Sequence, residues 1–153
     1  MTLEQQIQAD IKSAMRAGKK FEVATLRGLN AQLKDERIKL RPKRQMTEED
    51  MVSVLITAAK RRKEAIELYR QGSRDDLVEK EQNELDIVQR YLPEQLSEED
   101  IRSIIDEIIT QMKAESMSDM GKVMGPAMGR LKGKADGKVV QNLVRERLTH
   151  ISQ

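Results

Sequence analysis

The sequence has no cysteine, no tryptophan, a single histidine, and aromatic side chains that amount to 2% of its 153 residues. Without cysteine there is no disulfide framework, no thiolate metal site and no cysteine nucleophile, so a reducing compartment fits and a cytoplasmic setting is the expectation. The one histidine, His150, lies three residues before the last position, where fraying is usual and a ligand or base is hard to anchor. No Walker loop, dinucleotide fingerprint or metalloprotease helix occurs, because the glycines lack the strand before them and the required partners after them. The serines fall outside any nucleophile-elbow or Ser/Lys pattern, and helix capping accounts for several of them. No catalytic residue, metal ligand or cofactor is therefore predicted.

Long apolar runs are also missing, and MTLEQQIQAD at the start has no basic stretch followed by an apolar one; neither secretion nor a membrane partner is expected. Nor does one sign of charge dominate. There are 28 Lys and Arg against 26 Asp and Glu, a net charge of +2, so only the local distribution can point to a nucleic-acid partner.

What remains is helix-forming: Met, Leu, Ile, Lys, Glu and Gln abound, and the apolar residues recur at helical spacing. Thr2 and Gln5 form a capping-box pattern ahead of Leu3, Ile7, Ile11 and Met15, which predicts a first helix ending at Gly18. A second runs from about Phe21 towards Pro42, a third from the Thr47 cap to Gly72, and a fourth from a Ser73 cap to Leu92, where Pro93 forbids continuation. A fifth follows the Ser97 cap, a sixth spans Ser118 to about Leu131, and a seventh runs from Asp136 to about Leu148. The acids at 48–50, 75–76 and 98–100 occupy first turns and complement helix dipoles. The fold class expected is all-α: a helical domain of about four helices over 1–92, a linker at 93–96, and a three-helix domain over 97–153.

The unusual segment is SDMGKVMGPAMGRLKGKADGK, from Ser118 to Lys138. Met120, Met124 and Met128 recur every four residues, as do Gly121, Gly125 and Gly129, giving two parallel stripes on a helix. The methionines read either as core or as a groove for a partner helix. Each interior glycine costs a helix roughly 1 kcal/mol relative to alanine, so the glycines imply either a close helix approach or a backbone approach to a ligand such as phosphate. Pro126 predicts a bend there, splitting the sixth helix into two short turns. Beyond it Arg130, Lys132, Lys134 and Lys138 surround Gly133 and Gly137, an open basic loop. Asp136 is a natural N-cap, and it leaves the seventh helix's first amides to an anion only if its own carboxylate does not take them. Charge is segregated too, with six acids and two bases over 97–116 and three acids and seven bases over 117–153. That pattern suits a reader of nucleic-acid backbone. Two further basic clusters, Lys39 to Arg44 and Lys60 to Lys63, read as solvated charge. With aromatics so scarce, shape and phosphate contacts on folded RNA fit better than base stacking.

YLPEQLSEEDI from Tyr91, DMGKVMG from Asp119, LKGKADGKVV from Leu131 and the closing NLVRERL together resemble the GatB/YqeY family, specifically its stand-alone YqeY-like members, over nearly the whole chain. The C-terminal module of that family is similar to the tail domain of the B subunit of the tRNA-dependent amidotransferase. The resemblance implies tRNA binding, association with aminoacyl-tRNA amidation or synthesis, and a relation to carbon-nitrogen ligases that use glutamine as amide donor. It supplies no chemistry, since the complex's catalytic centres lie in other domains. By position it places Gly121, Lys122, Gly125, Lys132, Gly133, Lys134 and Asp136 on or behind a tRNA-facing surface. The expectation is a tRNA-associated module in which Lys122, Arg130, Lys132, Lys134 and Lys138 meet phosphate; the alternatives are a protein-protein adaptor using the Met/Gly surface and an independent amidotransferase.

Overall fold

A computed structural model describes Met1–Ser152. It contains seven helices and, among the described residues, no strand: α1 Leu3–Arg16, α2 Lys20–Leu40, α3 Glu48–Gln71, α4 Asp75–Gln89, α5 Glu98–Met112, α6 Met120–Leu131 and α7 Gly137–Ile151. The all-α expectation is met. The caps explain most of the starts. Thr2 accepts from the Gln5 amide while the Gln5 side chain accepts from Thr2 N–H, and Thr47 and Asp50 repeat the arrangement at α3. Ser97 caps α5 by accepting from the Asp100 amide, and Asp136 caps α7.

Three expectations need correction. Ser73 does not cap α4: its φ of +55° places it in the left-handed region, where its N–H donates to Arg70 O and the next amide, Arg74 N–H, donates to Tyr69 O. This is a Schellman closure of α3, so Ser73 is spent ending one helix rather than starting the next. The sixth helix starts at Met120, after a short 3-10 turn over Met117–Asp119 in which Asp119 accepts from the Glu115 and Ser116 amides. Nor does Pro126 split it into two turns; α6 is continuous through it. Pro126 lies on the exposed side, so the carbonyl one turn back that lacks an amide partner is not sealed in a core.

The helices form two compact units, Met1–Leu92 and Pro93–Gln153, each with its own core. In the first, Ile7, Leu26, Leu29, Leu33, Leu55 and Val88 are fully buried, with α1 packed on α2 and α3 on α4. Glu4 is buried there beside Arg37, and the Tyr91 hydroxyl donates to Asp10 Oδ2. In the second, Ile105, Ile108, Val123, Leu131, Val140 and Leu148 are fully buried among α5, α6 and α7. The stretch read as a linker is partly tied into this second unit: Gln95 Nε2 donates to Gly133 O at 2.7 Å and Leu96 N–H donates to Lys134 O at 3.0 Å, with Leu96 packed on the core.

Candidate nucleic-acid interface

Helix α6 has two unlike sides. Val123, Ala127 and Leu131 point into the core, and Met120, Met124 and Met128 lie half-buried beside them. The methionines thus pack partly against the core. Opposite them Gly121, Lys122, Gly125, Pro126, Gly129 and Arg130 are all exposed. A Cβ added at Gly121, Gly125 or Gly129 would meet nothing within 4 Å, which corrects one of the two readings of this stripe: no neighbouring helix comes close enough to require glycine there. The glycine that faces α6 is Gly137, at the start of α7, where a Cβ would stand 3.4 Å from the flexible end of Met128, at Cε. Sequence spacing hid this, because Gly137 keeps the four-residue repeat of Gly121, Gly125 and Gly129 but lies beyond the end of α6, and its neighbour is reached only through the fold.

The basic residues are distributed around this bare face. Lys122 projects from it with its ammonium 3.8 Å from Asp119 Oδ1, one turn back. Arg130 Nη1 lies 3.0 Å from Glu107 on α5. Both pairs are exposed, and such pairs are worth little in water and exchange readily. The i,i+3 pairing of Asp119 and Lys122 was readable from spacing; Glu107 was not, since only the packing of α5 on α6 brings it to Arg130. Asp119 is held below the usual carboxylate range, chiefly by the Glu115 amide that donates to it, and so stays charged at neutral pH.

The loop after α6 presents Lys132, Lys134 and Lys138, all exposed. It is held in shape rather than loose. Gly133 adopts φ +76°, a conformation that suits glycine, Lys134 N–H and Ala135 N–H both donate to Leu131 O, and Ala135 is buried. Gln95 and Leu96 brace the Gly133 and Lys134 carbonyls from the other side. The possibility of an anion on the first amides of α7 is closed, because Asp136 Oδ1 accepts from Lys138 N–H at 3.0 Å. Asp136 also places a carboxylate where a phosphate would have to sit. The five basic residues are thus all exposed, Lys122 and Arg130 on α6, Lys132 and Lys134 in the loop after it and Lys138 at the start of α7.

Among the described residues no group of three or more His, Cys, Asp and Glu side chains is placed to hold a metal ion. His150 is exposed on α7. What the fold defines is a small all-α protein built on two helical units. The chain belongs to the YqeY-like protein family, whose model matches residues 4–148. Among curated proteins it is 32% identical over 116 residues to altered inheritance of mitochondria protein 41 of Lachancea thermotolerans, an alignment covering 73% of this chain and 60% of that protein. It is 35% identical over 85 residues to the protein of the same name from Pyrenophora tritici-repentis, covering 56% and 46%. With the Saccharomyces cerevisiae protein it shares 32% over 115 residues, covering 72% and 60%. The aligned chain thus spans about 60% or less of the length of these relatives. All three are named as mitochondrial, which corrects the cytoplasmic expectation. That expectation rested on missing cysteines, which exclude disulfides but do not name a compartment.

Proposed function

We propose that the chain is a non-catalytic tRNA-binding module whose contact surface is the outward side of α6 together with the Leu131–Asp136 loop, acting as an accessory to aminoacyl-tRNA amidation or synthesis. One observation carries the reading. Gly121, Gly125 and Gly129 on α6 open onto solvent, and a side chain there would meet no neighbouring helix. The helix cost of such glycines, up to roughly 1 kcal/mol relative to alanine, is offset by something outside the chain. A bare helix face lets a bulky backbone come close, and Lys122, Arg130, Lys132, Lys134 and Lys138 supply cations around it. The lack of aromatics on this face suits phosphate and shape contacts rather than stacking. The adaptor alternative is less favoured, since the methionines it would use pack partly on the core.

Titrating tRNA into the full chain over a range of salt tests this. Replacing Lys134 and Lys138 by Gln is expected to weaken binding and to reduce the slope of log affinity against log salt by about one to two units, with helicity unchanged. Wild-type affinity for tRNA no better than for arbitrary duplex DNA at physiological salt would end the proposal.

A further inference from the structure

The first unit carries a second basic surface, at the turn between α1 and α2. Between Lys12 and Gly28 stand Lys12, Arg16, Lys19, Lys20 and Arg27 against a single acid, Glu22. That acid is engaged within the unit, 2.5 Å from Arg90 Nη1 and 3.9 Å from Lys19 Nζ. All five bases are exposed, Lys19, Lys20 and Arg27 beside the turn and Lys12 and Arg16 along a separate groove of α1 with Gln5 and Gln8. Among them two large apolar side chains also stand in water: Met15 is 53% exposed and Phe21, the only phenylalanine, 42%. An open groove of about 350 Å³ runs between the end of α1 and the start of α2, walled by Ala14, Met15, Gly18, Val23 and Ala24 and rimmed by Lys19, Lys20 and Arg27. Arg27 reaches across to Met15 Sδ at 3.6 Å, so charge and apolar surface are interleaved.

We propose that this helix-turn-helix tip docks on an anionic lipid bilayer, its cations on headgroup phosphates and Met15 and Phe21 entering the interface. A stable protein partner would want on the order of 800 Å² of surface with an apolar centre, whereas here a few apolar side chains are scattered within a collar of cations. An RNA would reward the cations but leave Met15 and the aliphatic groove walls facing water. A bilayer rewards both, because each base near an anionic surface adds about fivefold to partitioning and apolar side chains insert at headgroup depth. Lying on a membrane is compatible with the absence, among the described residues, of any helix long and apolar enough to cross one.

Because the chain lacks tryptophan, the F21W variant is a single-site reporter. With the full chain and phosphatidylcholine vesicles carrying about one-third phosphatidylglycerol, the expected result is co-flotation and a blue shift of the F21W emission, both absent with pure phosphatidylcholine. Lys19→Glu with Lys20→Glu should cut partitioning by roughly 25-fold or more. Met15→Ser with Phe21→Ser should cut it by about tenfold. Both pairs are exposed, and circular dichroism checks that helicity is kept. Failure to float, or flotation undiminished in the double-serine variant, overturns the proposal, as does a blue shift produced by tRNA and not by vesicles.

Discussion

The glycines of the second unit separate local conformational need from external use. Gly133 sits at φ +76°, so Gly133→Ala should destabilise by about 1 kcal/mol, the cost of forcing an L side chain into the left-handed region. Gly129 is helical and opens onto empty space, so Gly129→Ala should raise stability by roughly 0.5–1 kcal/mol while weakening tRNA binding. Urea denaturation and a binding titration on the two variants check the pair; if Gly129→Ala left tRNA affinity unchanged, the exposed face of α6 would not be the contact. The Met and Gly stripes were both visible in the sequence, and so was the need for an offset to the glycines. Which glycine touches a neighbour was not visible, because the contact of Gly137 with Met128 depends on how α7 returns against α6.

At the scale of helices, the ends that could be read in advance are those where one side chain closes one amide. Thr2, Thr47, Ser97 and Asp136 behave as their residue types dictate. Ser73 and the bend at Pro126 could not be read this way. In the first case the closure of α3 competes for the same residue; in the second the packing of Val123, Ala127 and Leu131 keeps α6 continuous through a residue that breaks isolated helices. The α3 start also carries a pH dependence. Asp50 accepts both Arg44 guanidinium nitrogens, at 2.5 and 2.9 Å, and the Thr47 amide at 2.8 Å. The Arg44 hydrogen bonds foremost, then the Thr47 amide, hold its carboxyl well below the usual range. A folded pKa below the unfolded value of about 3.9 means the contribution is complete above that pH and is lost as pH falls beneath it. Stability measured by urea from neutral pH downward should therefore drop below about pH 4, and Asp50→Asn should make that limb shallower. An acid limb unchanged in Asp50→Asn would assign it to other carboxylates.

For the whole molecule, length and composition led to the expectation of a modest core shared among helix pairs, and two separate apolar clusters are what formed. The tie of Gln95 and Leu96 to the Gly133–Lys134 loop was out of reach of sequence reading, since polar residues after Pro93 look like a spacer until their hydrogen-bond partners are in place. That tie sets where the second unit must be cut. A fragment starting at Pro93 keeps the brace on the basic loop and buries Leu96, whereas one starting at Ser97 loses both. The 93–153 fragment should be helical by circular dichroism, unfold cooperatively in urea with a smaller m-value than the full chain, and keep its tRNA affinity within about twofold. The 97–153 fragment should be less stable by about 1–3 kcal/mol, the combined cost of the Gln95 and Leu96 hydrogen bonds and the exposed leucine. Equal stability of the two fragments would show that the brace does not hold the loop. An unfolded 93–153 fragment would show instead that the second core depends on the first.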